Sequence, residues 1–323
     1  MLAAELAAGI AAIAGDGSQP FLPYCDTGED TLVVDAKGKF LFDQDCRRLA
    51  DLDLFVGILH GPSYDDGVCM EIGFAYALGN SILIMISDFL TYTWGDHTES
   101  SVFADPLFEL VTTEVVRYSS PIPKSSVNGP GSSKAAYYQS FWQQNRAALD
   151  LTLDKTIRAA RKLLSAPKPG VTCSPGESEN LIFVEISGLS TEELPKWVSQ
   201  VTATALEHGW DIYICKRHRA SNSRVETMDL AKEDLEMASK SKVLILDGNG
   251  AEVPSGSAML VGYALAKQRE TLLIYSAAQT THARGREANA RNLMLLYGSR
   301  RIIRSEKDIG RELKLVLSQF RPT

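Results

Sequence analysis

Short runs of β-branched and aliphatic residues recur along the chain, separated by longer stretches in which apolar positions return every three or four residues. Asp53 to Leu59 (DLFVGIL) and Ser81 to Ser87 (SILIMIS) are bounded by turn residues, as buried parallel strands are. Between them the spacing predicts a helix from Glu71 to Leu78, ended by Gly79. Further on, LIFVEISG (181–188) reads as a strand, Thr191 to Glu207 as a helix closed by Gly209, and WDIYICK (210–216) as a strand. A helix around Met228 to Ser239, the strand KVLILD (242–247), a helix over Ala258 to Lys267 and the strand TLLIYS (271–276) complete the alternation. Strands alternating with helices predict an α/β fold with doubly wound parallel sheets of the flavodoxin or Rossmann kind.

The pattern breaks once, at residues 166–179 (APKPGVTCSPGESE), where prolines, glycine, serine and charge displace apolar periodicity. This is the expected linker between a domain at 1–165 and a second at 180–323. Residues 50–87 and 239–276 share one order of strand, Gly-rich loop, helix and strand, and a G-x-x-x-x-x-G-[FY]-A run aligns in both without gaps. The expectation is an internal repeat forming a pseudo-dimer within one polypeptide.

Composition narrows the function. The chain of 323 residues, 45% hydrophobic and 23% charged, is long enough for two cores. With 33 basic against 40 acidic residues the net charge is −7, and no stretch concentrates Lys and Arg, which argues against a nucleic-acid partner. Cys25, Cys46, Cys69, Cys173 and Cys215 lack CxxC spacing, so neither a zinc knuckle nor a disulfide framework is expected and a cytoplasmic location is the simplest reading. The start, MLAAELAAGIAAIAG, has no basic n-region and carries Glu5 inside its apolar run, so it reads as an ordinary helix. No later apolar segment has the roughly 18 to 20 residues that span a bilayer.

Candidate chemistry concentrates in Asp65-Asp66-Gly67-Val68-Cys69-Met70-Glu71-Ile72-Gly73-Phe74-Ala75. Following a buried strand and opening a helix, this segment belongs at the carboxyl edge of the sheet, where open α/β folds bind ligands. Gly67 is expected to let the backbone turn, and Glu71 to sit in the first helical turn, where the helix dipole favours a carboxylate. Asp65 and Asp66, close to it, would drive carboxyl pKa values apart, giving one proton donor and one ionised group. The bland reading is a solvated Asp-Asp turn followed by a helix-start charge. Asp45, on a helix over Phe42 to Leu49, alone reads as a surface charge. His60 at the strand end is either a substrate contact or a hydrogen-bonded structural residue. Tyr137, Tyr138, Phe141 and Trp142 recur at helical spacing and are expected on the packed face of a long helix. Ser119 to Ser133 reads as a loop or lid.

The order Asp45, Asp53, Asp65-Asp66-Gly67, Glu71-Ile72-Gly73-Phe74-Ala75 and a strand from Ile82 closing in Asp88 resembles the signature region of the nucleoside 2-deoxyribosyltransferase family. The resemblance implies that Glu71 attacks the anomeric carbon of a 2'-deoxynucleoside, forming a deoxyribosyl ester. Asp65 would then be the acid and base, Asp45 an orienting group, and Asp66 and Gly67 part of the substrate-binding loop. It implies small-molecule nucleosides and nucleobases as partners, base exchange as the reaction, and no metal or organic cofactor. Pro254 and Leu260 stand where the second copy would need Asp65 and Glu71, so that copy is expected to be catalytically dead.

The second copy retains Asn292-Leu293-Met294, similar to the segment with which family dimers reach into a neighbour's pocket, while Ala104-Asp105-Pro106-Leu107-Phe108 has lost it. One composite site per chain follows, with Asn292 and Met294 as substrate contacts. The bland alternative makes Met294 a core residue. One departure stands out: family members begin with a strand, and this chain begins in what reads as the following helix. Either the N-terminus is truncated or another segment, such as Leu32 to Val34, fills the gap. Two other readings remain beside the transferase: a nucleoside or nucleotide N-glycosidase on the same carboxylates, and a non-catalytic nucleoside-binding protein. Further pairing of chains is left open.

Overall fold

The computed structural model describes residues 2–14, 19–28, 36–87, 90–93, 99–118, 133–168, 179–186, 194–218, 223–249, 253–276 and 292–320. Leu32 to Val34, Asp88, most of Ser119 to Ser133 and most of the 166–179 linker lie outside them.

The first half contains helices α1 (Leu2–Ala14), α2 (Pro23–Asp26) and α3 (Lys37–Ala50), strand β1 (Leu54–Leu59), helix α4 (Asp66–Ala77), strand β2 (Ser81–Ile86), helix α5 (Leu107–Val111), strand β3 (Glu114–Arg117) and helix α6 (Lys134–Leu164). In the second half come β4 (Glu179–Glu185), α7 (Lys196–Glu207), β5 (Asp211–Ile214), α8 (Arg224–Lys240), β6 (Ser241–Asp247), α9 (Ser255–Ala266), β7 (Glu270–Ile274), α10 (Leu293–Gly298), β8 (Arg301–Ile303) and α11 (Ile309–Leu317).

Two parallel sheets result, with orders β1-β2-β3 and β5-β4-β6-β7-β8. The register of the first pairs Leu54 with Ser81 and Leu59 with Ile86, and that of the matching pair in the second sets Val243 beside Glu270 and Asp247 beside Ile274. Among the described residues nothing in the first sheet corresponds to β4 and β5. The sequence expectation of a gap on that side of β1 therefore holds for these residues, and whether Leu32 to Val34 fills it falls outside them.

Strand alternation assigns the layers. Ile82, Ile84 and Ile86 of β2 face a core shared with Leu244 and Leu246 of β6 and Leu273 of β7. Leu83 and Met85 point the other way, onto α1 and α6, while Val243, Ile245, Leu272 and Ile274 face α7 and α11. The shared middle contains α4 and α9, both buried on nearly every side. That explains why neither has a polar face: a helix apolar all round belongs inside.

The two central helices touch backbone to backbone. A Cβ added to Gly73 would fall 1.8 Å from the carbonyl oxygen of Met259, and one added to Gly262 would fall 1.8 Å from that of Met70. Here lies the physical reason for the repeated G-[FY]-A run: each glycine admits the other helix, and the rings of Tyr76 and Tyr263 close the crossing at 6.2 Å between centroids.

Three expectations need correction. α4 begins at Asp66, five residues before the predicted start, because the Asp65 carboxylate caps it by accepting from the Val68 N–H at 3.0 Å. Glu71 is therefore in its second turn, beyond the short reach of the N-terminal dipole. The aromatics of α6 are not its packed face: Tyr138 and Trp142 are 63% and 66% exposed, and buried residues on this helix begin only at Thr152. Its C-terminal half packs on the sheet, and its aromatic N-terminal half does not. Finally, β3 and β8 were not foreseen, since EVVR and RII are too short and too charged to stand out as buried runs.

Candidate functional site

The carboxyl edge of β1 leads through His60 and a tight loop to Tyr64, Asp65 and α4. Tyr64 is buried at 3% exposure, its ring edge-on to Phe108, with its hydroxyl bridging the Val102 carbonyl and the Ala104 N–H at 3.3 Å each. That clamp fixes the backbone immediately before Asp65. Asp65 is exposed while Asp66 beside it is buried, so the pair points in two directions.

Glu71 reaches the same region from the second turn of α4. Its carboxyl is pushed up to about 8, first by burial and then by the charges of Asp45 and Asp65. The three residues singled out in the sequence are thus brought together: Asp45 from α3, Asp65 from the cap and Glu71 from the helix. The expectation of a dipole-stabilised anion meets an opposing influence, because burial and the two nearby carboxylates favour the protonated form of Glu71. The neighbouring thiols are not rivals for nucleophile. Burial, then Asp45 and Asp43, pushes Cys46 up to about 12, and burial with Asp66 and Asp65 raises Cys69 far above the ordinary thiol range.

Gly67 does not turn the chain, since it lies inside the helix. Its lack of a side chain serves space: a Cβ there would meet Asn292 Nδ2 at 3.0 Å, Asp65 Oδ1 at 3.0 Å and Asn292 Oδ1 at 3.3 Å. Asn292 comes from the other half of the chain. It caps α10 by accepting from the Met294 N–H at 2.9 Å, and α10 packs on α3 and α4, with Tyr297 against Phe42 at 5.8 Å. Met294 itself is 4% exposed within the shared core, so its expected substrate contact gives way to packing. His60 is exposed, its Nδ1 3.0 Å from the Ser87 hydroxyl, which binds the Leu59 carbonyl.

The corresponding edge of the second sheet holds a different constellation, missed in the sequence. Asp105, two residues before α5, accepts from the Leu107 N–H at 2.9 Å, and its carboxylate lies where a Cβ on Gly256 of α9 would stand. Arg217, 1% exposed, fills the space, with Nε 3.0 Å from Asp105, Nη1 2.8 Å from Glu185 and 3.3 Å from Asp234. Burial works to raise the Glu185 carboxyl, but Arg217 and His218 hold it down to about 2. The available signal was Glu185 within LIFVEIS, since a charge inside a buried strand requires a partner. Among the described residues, the group with metal-ligand character, Glu185, Cys215 and His218, also lies here and not at Glu71.

Comparison with known proteins adds the following. A solved structure described as the crystal structure of a conserved protein from Enterococcus faecalis V583 is 20% identical over 43% of this chain and 99% of that one. Its TM-score of 0.33 is too low to carry an argument. The comparison with curated proteins gives no match. Among described residues no helix is long and apolar enough to cross a membrane. Residues 2–129, which include Asp45, Asp65 and Glu71, match the model of the family described as nucleoside 2-deoxyribosyltransferase.

Proposed function

We propose that the chain transfers a 2'-deoxyribosyl group between nucleobases from a single site built by both halves. The observation that carries this reading is the joint action of Asp45 and Asp65 on Glu71, with Asn292 set against Gly67 at the same helix start.

Burial, then the charges of Asp45 and Asp65, favour a proton on Glu71. For cleavage it passes to Asp65, which donates it to the departing nitrogen as the C1'–N bond breaks. Glu71, now ionised, forms a C1'–O bond with the oxocarbenium-like centre. An incoming base then attacks C1', the ester C–O bond breaks, and the proton lost by that base returns to the carboxylates. Asp45 keeps the Glu71 carboxyl in a strong negative field that favours cationic character at C1'. The Asn292 amide, a neutral donor, suits a free 5'-hydroxyl, whereas a phosphate would call for Arg or a set of N–H donors. The cycle needs no metal or organic cofactor.

Incubation with deoxyinosine and adenine, and separately with deoxyinosine alone, tests the reading. New deoxyadenosine is the expected outcome. Free hypoxanthine and deoxyribose without deoxyadenosine would identify an N-glycosidase with water as acceptor, and an unchanged mixture would leave a nucleoside-binding protein.

A further inference from the structure

The buried cluster at the edge of the second sheet is short of positive charge. Asp105, Glu185 and Asp234 all pair with Arg217, so three carboxylates face one guanidinium, each side chain at most 4% exposed. Asp234 is relieved by the Lys216 and Arg217 N–H groups and by the Tyr213 hydroxyl, at 2.8 to 3.1 Å. Among the described residues the side occupied by Glu185 and Asp105 has, besides Arg217 and His218, only the Leu107 N–H, which donates to Asp105 at 2.9 Å. There His218 Nε2 stands 3.3 Å from Glu185 and 3.9 Å from Asp105, and Cys215 Sγ lies close by.

We propose that Glu185, Cys215 and His218 form a binding site for a borderline divalent cation of the zinc class. Their ligand atoms lie within 4.8 Å of one another and supply one oxygen, one sulfur and one nitrogen, a donor set suited to that ion. The 3.3 Å between Glu185 Oε1 and His218 Nε2 matches the edge of a tetrahedron with bonds of zinc length, about 3.3 Å. The outer shell is in place: Arg217 Nη1 holds Glu185 Oε2 at 2.8 Å, and Arg217 Nη2, which pairs with Oε1, also donates to Asp105 Oδ2 at 3.0 Å, so a cation that takes Oε1 displaces one contact and leaves both the carboxylate and the guanidinium paired. Burial, then Glu185, favour the Cys215 thiol, which faces the Ile186 carbonyl at 3.6 Å and accepts from the Ile186 N–H at 3.2 Å, so it is the charge of the cation that would draw off the proton. His218, with 24% of its side chain exposed, is the entry path. On binding, the thiol proton of Cys215 leaves to solvent, His218 ligates as the neutral imidazole, and the ion offsets the surplus carboxylate charge. Its place, across β4 and the end of β5, makes the site structural and separate from Glu71.

Chelator-treated full-length protein titrated with cobalt(II) tests this. One equivalent should bind with a sulfur-to-metal charge-transfer band in the near ultraviolet, and one equivalent of zinc should displace it and raise Tm. Cys215→Ser should abolish the band, His218→Gln should weaken binding roughly tenfold or more with the band retained, and Cys46→Ser should change neither. Absence of the band in the wild-type protein, or its persistence in Cys215→Ser, would overturn the site. The wild-type titration decides the question even where a variant fails to fold.

Discussion

The two sheet edges solve opposite electrostatic problems on the same scaffold. At the first, Asp45, Asp65 and Glu71 are gathered with no cation among the groups acting on Glu71, whose carboxyl rises to about 8. At the second, Arg217 draws Asp105, Glu185 and Asp234 around itself, and Glu185 falls to about 2. Each edge receives a polar side chain from the opposite half, Asn292 at the first and Asp105 at the second. Carboxylates gathered without a guanidinium favour a shared proton, whereas carboxylates drawn around a buried guanidinium are held ionised and tied to the fold. The comparison teaches why the chemistry proposed above is assigned to the edge at Glu71.

The comparison breaks at once if the first edge is not the reacting one. Glu71→Ala should lower deoxyribosyl transfer by about a thousandfold or more while thermal unfolding stays cooperative, and turnover above roughly a tenth of wild type would remove Glu71 from the nucleophile's role. On the other edge, Arg217→Met should destabilise by about 3–5 kcal/mol in denaturant unfolding, because three buried carboxylates lose their common partner. A loss below about 1 kcal/mol would mean that Arg217 is not the keystone described.

Finer changes sharpen the contrast. Asp65→Asn should slow cleavage of poor leaving bases by about a hundredfold and leave activated nucleosides nearly untouched. Equal losses on both would transfer the acid role to another group, Asp66 first. Asn292→Ala should cost roughly tenfold in kcat/KM through one lost amide contact, whereas Asn292→Asp keeps the helix cap and adds a fourth carboxylate beside Gly67. A larger stability loss in the Asp variant than in the Ala variant is the expected mark of that crowding.

The last effect is a slope. A carboxyl held above its ordinary range keeps its proton in the folded state where the unfolded chain has lost it, so its contribution to stability is lost as pH rises from the ordinary glutamate range to about 8. Denaturant midpoints of wild type across that window should fall relative to Glu71→Gln by up to about 1.4 kcal/mol per pH unit. Parallel curves would show that Glu71 titrates normally.

Much of this was legible without coordinates. Alternating apolar runs and periodic stretches determined the α/β class, the strands β1, β2, β4, β5, β6 and β7 and the helices α4, α7, α8 and α9, because burial on both faces leaves a continuous apolar run and burial on one leaves a period. Asp65, Glu71 and Asp45 could be named from order and spacing along one family signature. What spacing could not decide is which side chains share a dielectric. Only the tertiary structure put Asp45 within range of Glu71 and raised its carboxyl, made Gly67 a space for Asn292 and not a turn, and set Gly73 and Gly262 against each other's helix. It alone moved the Tyr138 and Trp142 rings into solvent and closed Arg217 around acids 112, 32 and 17 positions away. The physical reason is range: propensity and periodicity act over a few residues, whereas charge pairing, close helix approach and proton sharing depend on distances that the packed core sets.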